Sequence, residues 1–238
     1  DRYVQYVHKH PEQADRNAAF LSKAADIAEQ QGLMRKATLI RLRAIRDYYT
    51  APQTPDNIKG AAVHIANRVQ EEYPTPDSLL TRLREAFPSE GEMEAAIQAE
   101  IEKIQTEASE EEDARAQRLL FLQYAALHEI AAHLQPQAEP ASAHLSKAAK
   151  TYHSLKAFPK SLQLYDWILE NHPESEEAPR ALFMKGYILE NAGELEAARA
   201  AYEDFLERYP EQDLAPAAAS SLKNLGRSPE EIVSEFEQ

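Results

Sequence analysis

An all-α fold made of antiparallel helix pairs is what this sequence predicts, and three observations predict it. The composition favours helix: 238 residues hold 40 Ala and 30 Glu against 5 Val, and Ala and Glu lose little side-chain entropy in a helix where β-branched residues lose more. The 14 prolines fall almost entirely at helix boundaries, where the missing N–H is harmless and the preceding residue is driven out of the α region. Aromatic and apolar residues also recur at helical spacing in segments that superimpose without gaps, each closed by a proline.

Taken in order, the elements expected are helices at about 2–9, 13–30, 33–49, 55–72, 76–86, 90–107, 110–134, 139–155, 158–171, 176–191, 194–208, 213–224 and 229–237. The first ends before Pro11, and the second and third are separated by Gly32. Thr54-Pro55 and Thr75-Pro76 each read as a cap followed by proline. Ser89-Glu90-Gly91-Glu92 and Ser228-Pro229-Glu230-Glu231 have the spacing of a capping box. Ser109 before Glu110, Glu111 and Glu112 reads as another. The acidic run Glu107 to Asp113 is then a charged helix start rather than a calcium loop, whose ligand spacing it lacks. Connections of a few residues force neighbouring helices to run antiparallel.

Composition excludes several chemistries. With no Cys there is no disulfide framework, thiolate metal site or cysteine nucleophile. No run of 18 uncharged apolar residues marks a transmembrane helix. The chain begins at Asp1 with no leader, so a membrane connection is expected only through a trimmed N-terminal lipid anchor. The net charge of −14 is uneven. Residues 1–50 carry nine Lys/Arg against six Asp/Glu, net +3, which leaves −17 for the rest. So acidic a body repels phosphate backbones, and no nucleic-acid partner is expected. Arg35, Lys36, Arg41, Arg43 and Arg46 read as a solvated helix face, with a local anionic contact as the alternative.

Tyr3-x2-Tyr6-Val7-x3-Pro11, Tyr165-x2-Ile168-Leu169-x3-Pro173 and Tyr202-x2-Phe205-Leu206-x3-Pro210 share one spacing. Their aromatic and apolar pair lie on one helical face, which gives each helix a stripe to bury. Working back from Pro210, Leu182, Gly186, Leu189, Gly193, Ala198, Tyr202, Phe205 and Pro210 closely resemble the 34-residue tetratricopeptide repeat. The same register holds Leu145, Ala149, Tyr152, Tyr165, Ile168 and Pro173, with Lys156-Ala157 in place of the turn glycine and Ser161 at the second small site. A third copy places Leu21, Ala25, Ala28, Gly32, Ala37 and Ala44 in register, with Arg41 where an aromatic is usual. Residues 213–237 read as a closing pair turning at Gly226. Between about 54 and 134 the register is lost, which suggests a division into 1–108, divergent helical repeats, and 109–238, the clearer repeats with the closing pair. Tyr3–Pro11 matches a second helix, whose partner is expected upstream of Asp1 unless it caps the array alone.

The resemblance implies an α-solenoid, a tetratricopeptide-like superhelix whose first helices line a concave groove for a peptide or partner helix. By the same resemblance the groove-facing positions are Lys150, His153, Arg180, Phe183, Tyr187, Glu190 and Asn191, suited to an acidic or amphipathic segment. Phe183 and Tyr187 have an alternative role, packing on the adjacent helix pair. The tail from Ala178 also resembles repeats of the envelope branch of that family, outer-membrane assembly lipoproteins and periplasmic cell-division coordinators. A periplasmic or outer-membrane-associated scaffold is expected from that likeness, with the cytoplasm as the alternative. A self-assembling module without a peptide ligand is the other reading. Neither catalysis nor a cofactor is expected, since no GxxxxGK[ST], GxGxxG or GxSxG run occurs. His128 and His133 stand five apart, about 140° around a helix, and so cannot chelate as a pair four apart would. They read as helix-surface residues facing different ways.

Overall fold

The computed structural model describes residues 2–68, 78–138 and 140–227. Among these there are twelve helices and no strand: α1 (Arg2–Lys9), α2 (Ala14–Gln30), α3 (Met34–Asp47), α4 (Thr54–Ala66), α5 (Leu79–Glu85), α6 (Glu90–Glu110), α7 (Ala114–Leu134), α8 (Pro140–Ser154), α9 (Phe158–Asn171), α10 (Ala178–Asn191), α11 (Leu195–Arg208) and α12 (Ala215–Asn224). None of them is long and apolar enough to cross a membrane. The chain falls into two compact units, residues 1–141 and 142–238. The expected division at 108/109 lies inside the first, because Ile97, Ile101 and Ile104 of α6 share one buried cluster with Ala126, Leu127 and Ile130 of α7.

Helix pairs are the repeating element, and their turns are superimposable in detail. Gly32, Lys156 and Gly193 all adopt left-handed backbone, with φ of 61–78°. In each turn the next residue's N–H closes on a carbonyl five residues back: Leu33 on Ala28, Ala157 on Tyr152 and Glu194 on Leu189, at 2.8–2.9 Å. This satisfies the otherwise orphaned carbonyls at the helix end. The far ends match too. Tyr48, His172 and Tyr209 donate to Ala44, Ile168 and Phe205, and Thr54, Ala178 and Ala215 then restart the chain by donating to Ala51, Ser175 and Gln212. The pairs α2–α3, α8–α9 and α10–α11 are thus three copies of one geometry, in the registers read from Gly32, Lys156 and Gly193.

In the second unit the core runs through Leu182, Leu189, Ala198, Tyr202, Phe205 and Ala218. Gly186 lets α10 and α11 approach, since a Cβ there would lie 2.7 Å from the Tyr202 ring. Ser161, at the corresponding small site of α9, donates its hydroxyl to the Ala149 carbonyl at 2.8 Å. In the first unit, Arg41 takes the place of Tyr202 and is itself buried. Its guanidinium lies against Gly60 of α4 and binds Asp26 (2.8 Å) and Glu29 (2.7 Å) of α2. Of the basic run, Arg41 is therefore not a solvated residue. Tyr3 and Tyr6 of α1 pack on Phe20 of α2, with ring centroids 5.2 and 4.9 Å apart.

One helix start differs from the expectation. Ser109 lies within α6, where its hydroxyl donates to the Thr106 carbonyl. The next helix begins at Ala114, capped by Asp113, whose Oδ1 accepts from Arg115 N (3.0 Å) and Ala116 N (2.8 Å). A carboxylate is the stronger acceptor at a positive helix end, so Asp113 displaces the hydroxyl as cap. Ser89 caps its helix, its Oγ accepting from Glu92 N and donating to Glu92 Oε2, both at 3.2 Å. The cap at Thr75, the box at Ser228 and the helix expected at 229–237 lie outside the described residues. A cap the periodicity had not marked, Ser78, accepts from Thr81 N at 3.1 Å and starts α5.

Candidate recognition face of the second unit

The residues of interest stand on α8 and α10, the first helices of the two clear repeats. Arg180, Phe183, Tyr187 and Glu190 follow one another at three- and four-residue steps and Asn191 stands four after Tyr187, so α10 presents them as a single stripe. Its opposite side supplies Ala181, Leu182, Ile188 and Leu189 to the interior. Helix α10 is tied to α9 by the ion pair from Lys185 Nζ to Asp166 Oδ1, at 2.7 Å.

Tyr187 is 40% exposed, and its ring stands 5.9 Å from that of His153 on α8. His153 in turn lies 5.4 Å from Phe158 at the start of α9, itself 38% exposed. Three rings from three helices thus form a cluster that is only partly covered, and aromatic surface of this kind anchors partner segments at low entropic cost. Lys150 lies one turn before His153 on α8 and is exposed, as is Arg180, two turns before Tyr187. Asn191 is exposed, but its amide is folded back onto the Tyr187 carbonyl at 2.8 Å.

The other two residues of the stripe have partners inside the unit. Phe183 is half-buried and packs with Tyr202 and Phe205 at centroid distances of 5.9 and 6.0 Å. Glu190 accepts the Tyr202 hydroxyl at 2.7 Å. Burial, reinforced by that bond, raises the Tyr202 phenol well above its ordinary value, so it stays a donor at any physiological pH. Burial likewise raises Tyr165 to about 12, against the nearby charge of Arg180 and a hydrogen bond with Ser161. Phe158 was not among the candidates from sequence. The signal present was an aromatic followed by proline directly after the Lys156 turn.

In the first unit, His128 and His133 prove to be buried, 1% exposed each, with Glu129 at 0% between them. They are not surface residues. Only half of α7 lies at the surface, because its C-terminal half inserts beside α4 and α6, taking the histidines inward with Leu127 and Ile130. His128 packs edge-on against Tyr124 at 4.5 Å, and His133 Nε2 lies 3.9 Å from Glu129 Oε1. Among the described residues no group of three His, Cys, Asp or Glu is arranged to hold a metal.

No curated protein matches the chain as a relative. One family model does match, over residues 180–211, which cover nearly all of α10, the Gly193 turn and the whole of α11, and its description is tetratricopeptide repeat. That segment, which contains Gly186, Tyr202 and the exposed Tyr187, is therefore similar to a family whose repeats serve generally as protein–protein interaction modules.

Proposed function

We propose that the protein is a non-catalytic scaffold that holds a segment of another protein against the first-helix face of α8 and α10. The observation that carries this reading is the uncovered ring cluster of His153, Phe158 and Tyr187, with Lys150 and Arg180 exposed on the same two first helices. An apolar anchor beside isolated cations, in a chain of net charge −14, suits a segment that pairs an apolar side chain with carboxylates. The compartment we propose is the bacterial cell envelope, supported by the likeness of the tail to envelope-type repeats.

Affinity capture with the parent chain beside an Arg180→Glu, Tyr187→Ala variant tests both parts. Both positions are exposed, so the variant keeps the fold. A partner taken from an envelope fraction by the parent and lost by the variant is the expected result. A variant that retains every partner removes the ring cluster from the recognition surface. Capture only from the cytosolic fraction overturns the compartment. No capture, with the parent running as a defined oligomer by light scattering, favours a self-assembling module instead.

A further inference from the structure

Phe158 of the ring cluster has a counterpart one repeat further along the second unit. Phe158 and Leu195 are the first residues of the second helices α9 and α11, and each stands two residues after a left-handed turn residue, Lys156 or Gly193. The residues that launch them share one backbone, with φ −87° and ψ 59° at Ala157 against φ −83° and ψ 63° at Glu194. Both launching carbonyls accept the first helical bond, Ala157 O from Ser161 N at 3.0 Å and Glu194 O from Ala198 N at 2.9 Å. A backbone repeated in this way aims the Cα–Cβ bond alike relative to its own helix pair, so both side chains leave from the turn edge of the unit. Their exposure agrees, at 38% for each. Each is also held from one side: Phe158 by the His153 ring at 5.4 Å, and Leu195 by the following turn, where a Cβ on Gly226 would lie 3.2 Å from Leu195 Cδ1.

The charges beside the two side chains differ in sign. Lys150 and Lys156 are exposed on the Phe158 side, and Glu194 and Glu196 are exposed on either side of Leu195. Among the described residues none of these four makes an ion pair within the protein. Unspent charges of one sign beside each apolar side chain select what settles there, and reject a segment whose charges run the wrong way. An extended chain advances about 3.3 Å per residue, so one or two helix spacings, roughly 10–20 Å, take about three to six residues.

Building on the recognition face proposed above, we infer that the turn edge at Leu195 seats a second apolar side chain of the same partner segment. That segment is bipolar: acidic beside the side chain held at the ring cluster, and basic beside the one held at Leu195. The complementary charges thus give the bound segment a direction along the array.

The test is titration of the full isotope-labelled chain with two synthetic peptides, termini blocked, followed by NMR. In the first peptide two glutamates and a phenylalanine are joined through a flexible Gly/Ser linker of about six residues to a leucine and two lysines. In the second the glutamate pair and the lysine pair are exchanged. The first is expected to shift His153, Phe158 and Tyr187 together with Leu195 and Gly226. It binds at least about fivefold more tightly than the second at low salt, and the gap narrows as salt is added. Leu195→Ser weakens the first peptide while its shifts at His153, Phe158 and Tyr187 remain. Glu194→Gln with Glu196→Gln narrows the gap between the peptides, and as both positions are exposed and outside any ion pair the fold is kept. Shifts confined to the ring cluster, or equal affinity for the two peptides, overturn this inference while recognition at the ring cluster stands. No shift at the ring cluster with either peptide overturns it and counts against the recognition face as well. Shifts at both turns that grow with protein concentration in the absence of peptide assign the edge to a second copy of the chain and also overturn it.

Discussion

Gly186→Ala sets two effects of comparable size against each other, and the structure decides between them. In the interior of a helix, Ala is favoured over Gly by about 1 kcal/mol. Here the new methyl would stand 2.7 Å from Tyr202 Cε1 and 2.9 Å from Cδ1. That ring is fully buried, bonded to Glu190 at 2.7 Å, and flanked by Phe183, so it cannot swing aside. The helices must part instead. The α8–α9 pair shows how far, because Ala149 already stands there opposite Tyr165. Overpacking relieved in this way costs about 1–3 kcal/mol, and subtracting the helix gain leaves a net loss of about 1 kcal/mol. Gly60→Ala is the internal contrast. Its methyl would meet the Arg41 guanidinium at 2.5 Å, but that group ends a flexible side chain whose carboxylate partners are about half exposed. It can shift, so part of the helix gain remains and stability rises by up to about 1 kcal/mol. The single Trp, Trp167, lies in the second unit, so its fluorescence during urea unfolding follows the Gly186 variant locally. With a slope of about 1.5 kcal/mol per molar, the midpoint falls by about 0.7 M. A midpoint unchanged or raised by Gly186→Ala would refute the claim that Tyr202 is pinned.

Lys156→Gly raises stability by about 0.5–1 kcal/mol, because a non-glycine residue at φ 61° carries left-handed strain that exceeds the entropy Gly adds to the unfolded chain; the same fluorescence transition measures it. Arg41→Ala lowers stability of the first unit by about 2–3 kcal/mol, from two charged hydrogen bonds discounted for their exposed acceptors plus lost packing on Gly60; circular dichroism, which sees both units, reports an earlier transition. Burial raises the Glu100 carboxyl above its ordinary value, with Glu107 and Asp56 adding to the effect and Lys103 and Lys59 opposing it. Between the ordinary value and that raised one, the folded state binds more protons than the unfolded, so this group's contribution falls as pH rises through that window. Glu100→Gln therefore stabilises the protein at pH 7 and loses its advantage in acid below the ordinary carboxyl range, which paired melts at pH 4 and 7 check.

How much of this was legible in the sequence depends on whether a residue acts through its own turn or through a distant neighbour. Gly32 and Gly193 announce their turns, and the register read from them locates Ala25, Ala37, Ala198 and Tyr202 as interior residues. Lys156 carries no such mark. It adopts the same turn because the helices on either side demand it, a tertiary override of a local preference. The fate of α7 was hidden for a related reason. Two histidines and a glutamate look like surface chemistry, and only the packing of α7 beside α4 and α6 shows them to be interior. Phe158 belongs with these, since its nearness to His153 depends on how α8 meets α9. At α10, spacing alone gave the common stripe of Phe183, Tyr187 and Glu190. Which member faces outward is decided by Tyr202 and Phe205, more than ten residues further along the chain.

Comparing the copies explains why we propose recognition in the second unit. The positions of Tyr187 and Glu190 on α10 correspond to Asp26 and Glu29 on α2, as the shared turns at Gly193 and Gly32 require. Tyr202 correspondingly becomes Arg41. The acidic acceptor is kept across both copies, Glu190 receiving the Tyr202 hydroxyl and Glu29 the Arg41 guanidinium, each at 2.7 Å. This polar clasp across the helix pair survives a change of partner from phenol to guanidinium because a carboxylate serves either donor. A guanidinium nitrogen carries two N–H groups where the phenol has one O–H, however, and the same Nη2 takes Asp26 as well. The residue that α10 leaves exposed as Tyr187 is therefore engaged internally on α2. An aromatic at position 202 with one hydroxyl consumes a single member of the stripe, whereas an arginine consumes two. The same fold thus presents Tyr187 to solvent in one copy and ties up its counterpart in the other. Arg41→Tyr, by releasing Asp26 while keeping Glu29 as acceptor, converts the first copy to the arrangement of the second.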